Sequence, residues 1–184
     1  MAFINNKKTG ELMLNKIDRE NFAEVYDIME NSFPKDERRS YEAQEALFEK
    51  KEYSIYGEWT GDKLLGFIAV WEFEEFIYIE HFAVDEAHRN GGRGRTMLIE
   101  LLQMTGKSAV LEVEPPETED AERRIGFYER NGFVLNDHHY VQLPLGEDRE
   151  PVELKIMSYP RAIDREVFDK VKVTIYRSVF GVEE

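Results

Sequence analysis

Apolar residues recur with two different periods along this 184-residue chain, and the period changes wherever glycine, proline or a capping residue intervenes. Residues 9–17 read as a first strand. Asp18 then caps a helix whose apolar positions Phe22, Val25, Tyr26, Met29 and Phe33 keep helical spacing. Pro34 and the charged run to Arg39 break that helix, and Ser40 caps a shorter one reaching about Lys51. Residues 53–59 and 63–73 are β-rich runs joined by Thr60-Gly-Asp-Lys63, a hairpin sequence. Glu74-Glu75 leads into a further strand, 76–84. A glycine-rich turn at 89–94 follows, then an amphipathic helix over 96–105 and a strand over 108–114 ended by Pro115-Pro116.

Thr118 caps the next helix, which carries Ala121, Ile125 and Tyr128 on one face and closes at Gly132. Residues 134–143 and 152–159 predict a terminal hairpin. Asp164 caps a last helix, with Ile163 and Phe168 placed as a hydrophobic staple and Val171, Ile175 and Val179 as its buried stripe. The order β-α-α-β-β-β-α-β-α-β-β-α has too many adjacent strands for a doubly wound sheet. It predicts an α/β (α+β) fold: a mixed, largely antiparallel sheet of about seven strands flanked by helices on both faces. One domain over 1–184 is expected, with 160–184 as a C-terminal helix packed on it.

Composition narrows the classes. Apolar residues make up 42% of the chain, with 12 Phe and 9 Tyr, which excludes a disordered polymer. The longest apolar run, 64–71, is interrupted by Gly66 and is far shorter than the roughly 20 residues of a membrane helix. No signal-peptide pattern opens the sequence, and with no cysteine there is neither a disulfide framework nor a thiol nucleophile. A cytoplasmic protein that does not engage membranes is expected. The net charge of −14 repels nucleic acid and attracts cations such as amines. Asp137-His138-His139 hints at a metal, but adjacent histidines on a strand face opposite ways, so no metal is expected.

Arg89-Asn-Gly-Gly-Arg-Gly94 is the most informative stretch. A glycine-rich turn feeding a helix start aims several backbone N–H groups at one spot, where the positive end of the helix dipole lies. From Gly92 the sequence lacks the third glycine of the dinucleotide fingerprint, and no Walker string is present. Asp85-Glu-Ala-His88 spells a helicase tetrad, which means little without a P-loop. What remains is R-x-x-G-x-G, carried by Arg89, Gly92 and Gly94.

That string resembles the pyrophosphate-binding motif of the GNAT superfamily of acyl-CoA-dependent N-acyltransferases. Ile79–Arg89 is similar to the family's central strand and bulge, and Phe127-Tyr-Glu-Arg-Asn-Gly-Phe133 to its second motif, Tyr-x-x-x-Gly-Phe. The resemblance covers residues 76–134 well; the N-terminal third matches only in element order. It implies acetyl-CoA as acyl donor and acetyl transfer to a primary amine by direct attack in a ternary complex. Backbone N–H groups over Asn90, Gly91, Gly92, Arg93, Gly94 and Arg95 would hold the pyrophosphate, with Arg89, Arg93 and Arg95 adding charge. The main chain of Phe82, Ala83 and Val84 would pair with pantetheine and polarise the thioester carbonyl.

Tyr128 is the implied proton donor to the departing thiolate. Glu80 is the implied base: strand alternation places it on a face with Phe76, Tyr78, Phe82 and Val84, where burial would raise its pKa. Glu112, on a neighbouring strand with Glu114, competes for that role, and an ion pair with Arg123 or Arg124 is the structural alternative for either acid. Glu122 and Ile125 depart from the family's usual asparagine and alanine. The acceptor site is expected between the loop 33–39 and the hairpin near 140–144. A small-molecule amine is the expected partner, and a homodimer is compatible with the sequence. A non-catalytic acyl-CoA sensor or scaffold, and a protein N-terminal or lysine acetyltransferase, are the rival readings.

Overall fold

The structure, a computed structural model, describes residues 14–182. Within them the first strand is β1 (Leu14–Lys16); the expected residues 9–13 of that strand lie outside the described range. Asp18 makes no side-chain cap. A 3-10 turn, Arg19–Asn21, intervenes before α1 (Phe22–Ser32). Ser40 Oγ accepts from the Ala43 amide and starts α2 (Tyr41–Glu45), which tightens into a 3-10 turn over Ala46–Glu49. β2 (Tyr53–Thr60), β3 (Lys63–Glu72) and β4 (Phe76–Val84) form the expected meander. α3 (Arg93–Thr105) begins three residues before the expected start at Thr96, because Gly92 takes the left-handed conformation (φ 75°) that turns the chain into the helix.

β5 (Ser108–Val113) and α4 (Glu119–Glu129) follow, with Thr118 Oγ1 accepting from the Ala121 amide. The expected long strand over 134–143 is split into β6 (Val134–Leu135) and β7 (Tyr140–Gln142). Between them Asn136 turns inward and bonds Ile156 O, Ser158 Oγ and the Ile163 amide. Those bonds satisfy the backbone of a strand switch and take the place of ladder bonds. β6 and β7 pair with opposite ends of β8 (Val152–Tyr159). Asp164 caps α5 (Arg165–Val179) through the Val167 amide.

The strand order is β1-β2-β3-β4-β5-β8-β6, and every neighbouring pair is antiparallel except β4–β5. Helices cover both faces. On one, α1 and α5 bring Val25, Met29, Phe168, Val171 and Ile175 against Phe67, Ala69, Trp71 and Tyr78. On the other, α3 and α4 bring Met97, Leu98, Leu101 and Ile125 against Ile68, Val70, Ile77, Ile79 and Leu111.

Two irregularities in this sheet position the site. First, Val70 pairs with Ile79 but Ala69 with His81, so Glu80 is the extra residue of a β-bulge. The bulge inverts the alternation. Ala83 joins the face of Tyr78, while Phe82 and Val84 pass to the face of Ile77 and Ile79, opposite to the strictly alternating expectation. Second, the parallel pairing ends at Ile79 and Leu111. Beyond it, among the described residues, β4 is held only by β3, whereas β5 is held by β8 as far as Val113. The two strands part, and a wedge opens in the middle of the sheet.

Candidate active site

Two cavities meet at that wedge. The larger, of about 860 Å³, lies over the N-terminus of α3 and against α4. Six arginines line it (Arg89, Arg93, Arg95, Arg123, Arg124 and Arg130), a basic concentration on a chain of net charge −14. The first amides of α3 face this space without a substitute acceptor. Side chains of Ser40, Thr118 and Asp164 cap α2, α4 and α5, but Gly92 offers none and the first turn of α3 holds no acid. Asn90 also has positive φ (67°), so successive amides curve around one point. A Cβ on Gly91 or Gly92 would touch nothing in the protein, so Gly92 is required by its φ and not by crowding. An uncapped dipole end ringed by guanidinium groups fits a diphosphate.

The arginines are not equivalent. Arg89 Nε donates to Val84 O at 2.9 Å, tying the end of β4 to the turn, and its Nη2 reaches Ser32 Oγ at 3.4 Å. Arg93 Nη1 is committed to the buried carboxylate of Glu58 on β2. Arg95 is exposed and, among the described residues, makes no ion pair. Arg123 binds Asp120, and Arg124 binds Glu114 at 2.7 Å.

The smaller cavity, of about 280 Å³, sits in the wedge itself. Phe82, Val84, Arg89, Arg124 and Tyr128 line both spaces. The backbone of β4 past the bulge forms one wall, and among the described residues no strand pairs with its wedge-facing edge. Tyr128 therefore stands at the junction. α4 sets it there: Ala121, Ile125 and Tyr128 share the buried stripe, Phe127 and Phe133 pack around the ring, and Gly132 (φ 87°) ends the helix. Among the described residues the Tyr128 hydroxyl makes no hydrogen bond. Burial raises its pKa to about 12 against the lowering influence of Arg124, one helical turn earlier.

The acids of the wedge divide into two kinds. Glu80 does not gain the raised pKa that its apolar neighbours suggested. Burial does push it up, but the Arg39 guanidinium at 2.8 Å and the adjacent His81 prevail and hold it to about 2. Arg39 also reaches Gln44 Oε1 and Val179 O, and Gln44 Nε2 donates to Tyr53 Oη at 2.7 Å. The partner of Glu80 is thus Arg39, not Arg123 or Arg124. This pair joins the loop after α1, α2, the bulge of β4 and the end of α5. Breaking one partner of a buried pair leaves an uncompensated charge, so Arg39→Met should destabilise the fold by about 3–5 kcal/mol. Denaturant titration at pH 7 checks this, and a loss under about 1 kcal/mol would show that the pair is not structural. Since the folded pKa of Glu80 lies below its unfolded value, the stability it confers is complete above pH ~4.3 and disappears as pH falls toward 2.

Glu112 is the other kind. It lines the wedge cavity, and among the described residues no cation pairs with it. Burial pushes its pKa up to about 7, moderated by hydrogen bonds from Tyr140 and Tyr78 and raised further by the charge of Glu80. Both tyrosines are buried, one on β4 and one on β7, so the carboxylate is held from two strands.

The loop 33–39 touches the chain from Gln142 to Glu150. Asp36 O accepts from Gln142 Nε2, Asp36 Oδ1 accepts from the Glu150 amide, Arg149 Nε donates to Arg38 O, and Lys35 pairs with Asp148 at 2.7 Å. His81 Nε2 donates to Glu37 O at 2.9 Å, closing the loop onto the bulge. Sequence reasoning missed the roles of Arg39, read only as part of the charged acceptor loop, and of Gln44, read only as part of a short helix. The one available signal was physical: a buried Glu80 demands a cation, but nothing in the chain's periodicity says which. His138 bonds Ile163 O and stacks on Phe168, while exposed His139 approaches Glu153, so the two histidines diverge. Among the described residues no helix is long and apolar enough to cross a membrane.

Residues 22–133 match the profile of the acetyltransferase (GNAT) family. A provisionally assigned acetyltransferase of Bacillus subtilis, YjbC, is 34% identical over 110 residues, which cover 59% of this chain and 55% of that protein. The matched stretch thus spans about half the length of that relative. A solved structure of a provisionally assigned GNAT-family acetyltransferase from Bacteroides thetaiotaomicron is 31% identical. It covers 92% of this chain and 99% of its own, with a TM-score of 0.83. The ribosomal-protein-S18-alanine N-acetyltransferase of Escherichia coli shares the fold at 19% identity, covering 83% of this chain and 96% of its own at a TM-score of 0.63.

Proposed function

The chain belongs to the acetyltransferase (GNAT) family, and we propose that it transfers an acetyl group from acetyl-CoA to the primary amine of a small molecule by direct attack. The observation that carries this reading is the position of Tyr128. It lines both the arginine-rich cavity over α3 and the acid-lined cavity in the wedge, so a group entering from either side meets the other beside its hydroxyl.

When bound, acetyl-CoA supplies the activated thioester; the protein's residues do the rest. The amides of α3 from Arg93 onward and the Arg89 and Arg95 side chains hold the diphosphate. The free edge of β4 at Phe82–Val84 accepts an extended chain as an added strand, and a backbone N–H there polarises the thioester carbonyl. We assign the proton acceptor to Glu112, not to Glu80. A carboxyl held to about 2 by Arg39 is too weak a base, whereas one at about 7 takes the proton that the amine nitrogen sheds as it bonds the acyl carbon, directly or through water. Tyr128 Oη donates a hydrogen bond to the leaving sulfur. Complete transfer from a phenol of about 12 to a thiolate of a thiol near 8.5 runs uphill, so Tyr128 stabilises the developing charge and solvent delivers the final proton.

The test is a calorimetric titration with CoA followed by thiol release from acetyl-CoA across an amine panel. Binding together with amine-dependent release is expected. Binding without release on any amine would instead indicate an acyl-CoA sensor, and absence of binding would defeat both readings.

A further inference from the structure

The charges around the wedge cavity do not cancel. Glu80 is neutralised by Arg39. Glu114 at the mouth is neutralised by Arg124, and Arg89, whose charge the proposed diphosphate would balance, bonds Val84 O and Ser32 and no acid among the described residues. Two carboxylates remain, Glu112 inside and Glu37 on the loop that closes over it, and both line the same 280 Å³. Among the described residues neither has a cation within ion-pair distance. The groups that act on Glu37 are Glu114, Arg124, His81 and Asp36: two acids, one guanidinium already bound to Glu114, and a histidine spent on the Glu37 carbonyl. Its carboxyl is raised, first by burial and then by Glu114. A partly buried carboxylate with no counter-ion is costly to keep unless a ligand brings the cation.

We propose that the acceptor is a small diamine, one ammonium reacting beside Glu112 and Tyr128 and the second held by Glu37. This rests on the acetyl-transfer reading above and narrows its substrate class. The same two charges could come from a peptide with an amino terminus next to a lysine. A polypeptide, however, needs a groove that continues past the site. Here the loop 35–39, whose Glu37 lines the cavity, is fastened to residues 142–150 by four polar contacts, which stand in the way of such a groove on that side. A free diamine requires no such groove.

The experiment compares kcat/KM for a homologous series of α,ω-diamines with n-alkyl monoamines of equal length, and with a short peptide carrying both charges. For the wild-type protein a diamine optimum at least about tenfold above the matched monoamine is expected, with the peptide poorer than either. In Glu37→Gln the diamine-to-monoamine ratio should fall about tenfold. Glu37→Asp should keep a preference and move its optimum to a longer diamine, because the carboxylate withdraws by one methylene. A wild-type ratio near one, an equal loss on both amine classes in Glu37→Gln, or preference for the peptide would each overturn the proposal while leaving amine acetylation intact. Failure of every amine to release thiol would instead remove the reading on which it stands.

Discussion

Tyr128→Phe is expected to lower kcat for amine acetylation by about 10²–10³-fold while the dissociation constant for acetyl-CoA stays within about twofold of wild type. The hydroxyl makes no hydrogen bond among the described residues, so its loss leaves no buried partner unsatisfied. The ring contacts with Phe127 and Phe133 persist in the variant. On the proposed role, what disappears is a donor aimed at charge that develops only as the sulfur departs. An interaction absent from the ground state affects kcat and spares binding. Stopped-flow thiol detection under saturating acetyl-CoA checks this, and a kcat within about threefold of wild type would remove Tyr128 from the reaction.

Glu112→Gln is expected to lower kcat/KM for the amine by about 10²–10³-fold, the usual range for a lost general base. A structural explanation of such a loss predicts a weaker fold, and the electrostatics predict the opposite. The folded pKa of Glu112, about 7, lies above its unfolded value near 4.3. Stability from this group therefore falls as pH rises between those values, and the cost of the buried charge is complete above about 7. Glutamine removes that cost and forfeits one acceptor for Tyr140 or Tyr78. At pH 8 the variant should thus unfold no lower than wild type although it is nearly inactive. An inactive variant that also unfolds well below wild type would assign Glu112 to the core.

Much of the scaffold was legible because each element carried its own punctuation. Ser40, Thr118 and Asp164 cap helices where their sequence context indicated, and Gly132 takes the positive φ that ends α4. The glycine-rich turn was legible for the same local reason. Long-range electrostatics were not. Glu80 stands among aromatic neighbours in sequence, which predicts a raised pKa; in space it meets Arg39 from 41 residues away, and the sign reverses. The bulge at Glu80 was implied by the family resemblance but escaped the alternation, because one inserted residue changes register without changing composition. Asn136 cut the expected final hairpin for a similar reason, since its three partners lie on β8 and in the approach to α5. Glu112 differs: both its candidacy and its competition with Glu80 could be read from neighbouring strands, and only the missing counter-ion had to come from the structure.

We propose that acyl transfer occurs in the wedge between β4 and β5 with Glu112 as proton acceptor. The most direct measurement is the pH dependence of kcat/KM for one amine, in wild type and in Glu112→Gln. Wild type should show an acid limb in which the rate rises through about pH 7 as Glu112 loses its proton, and the variant should lack that limb. An identical acid limb in both proteins would contradict the account.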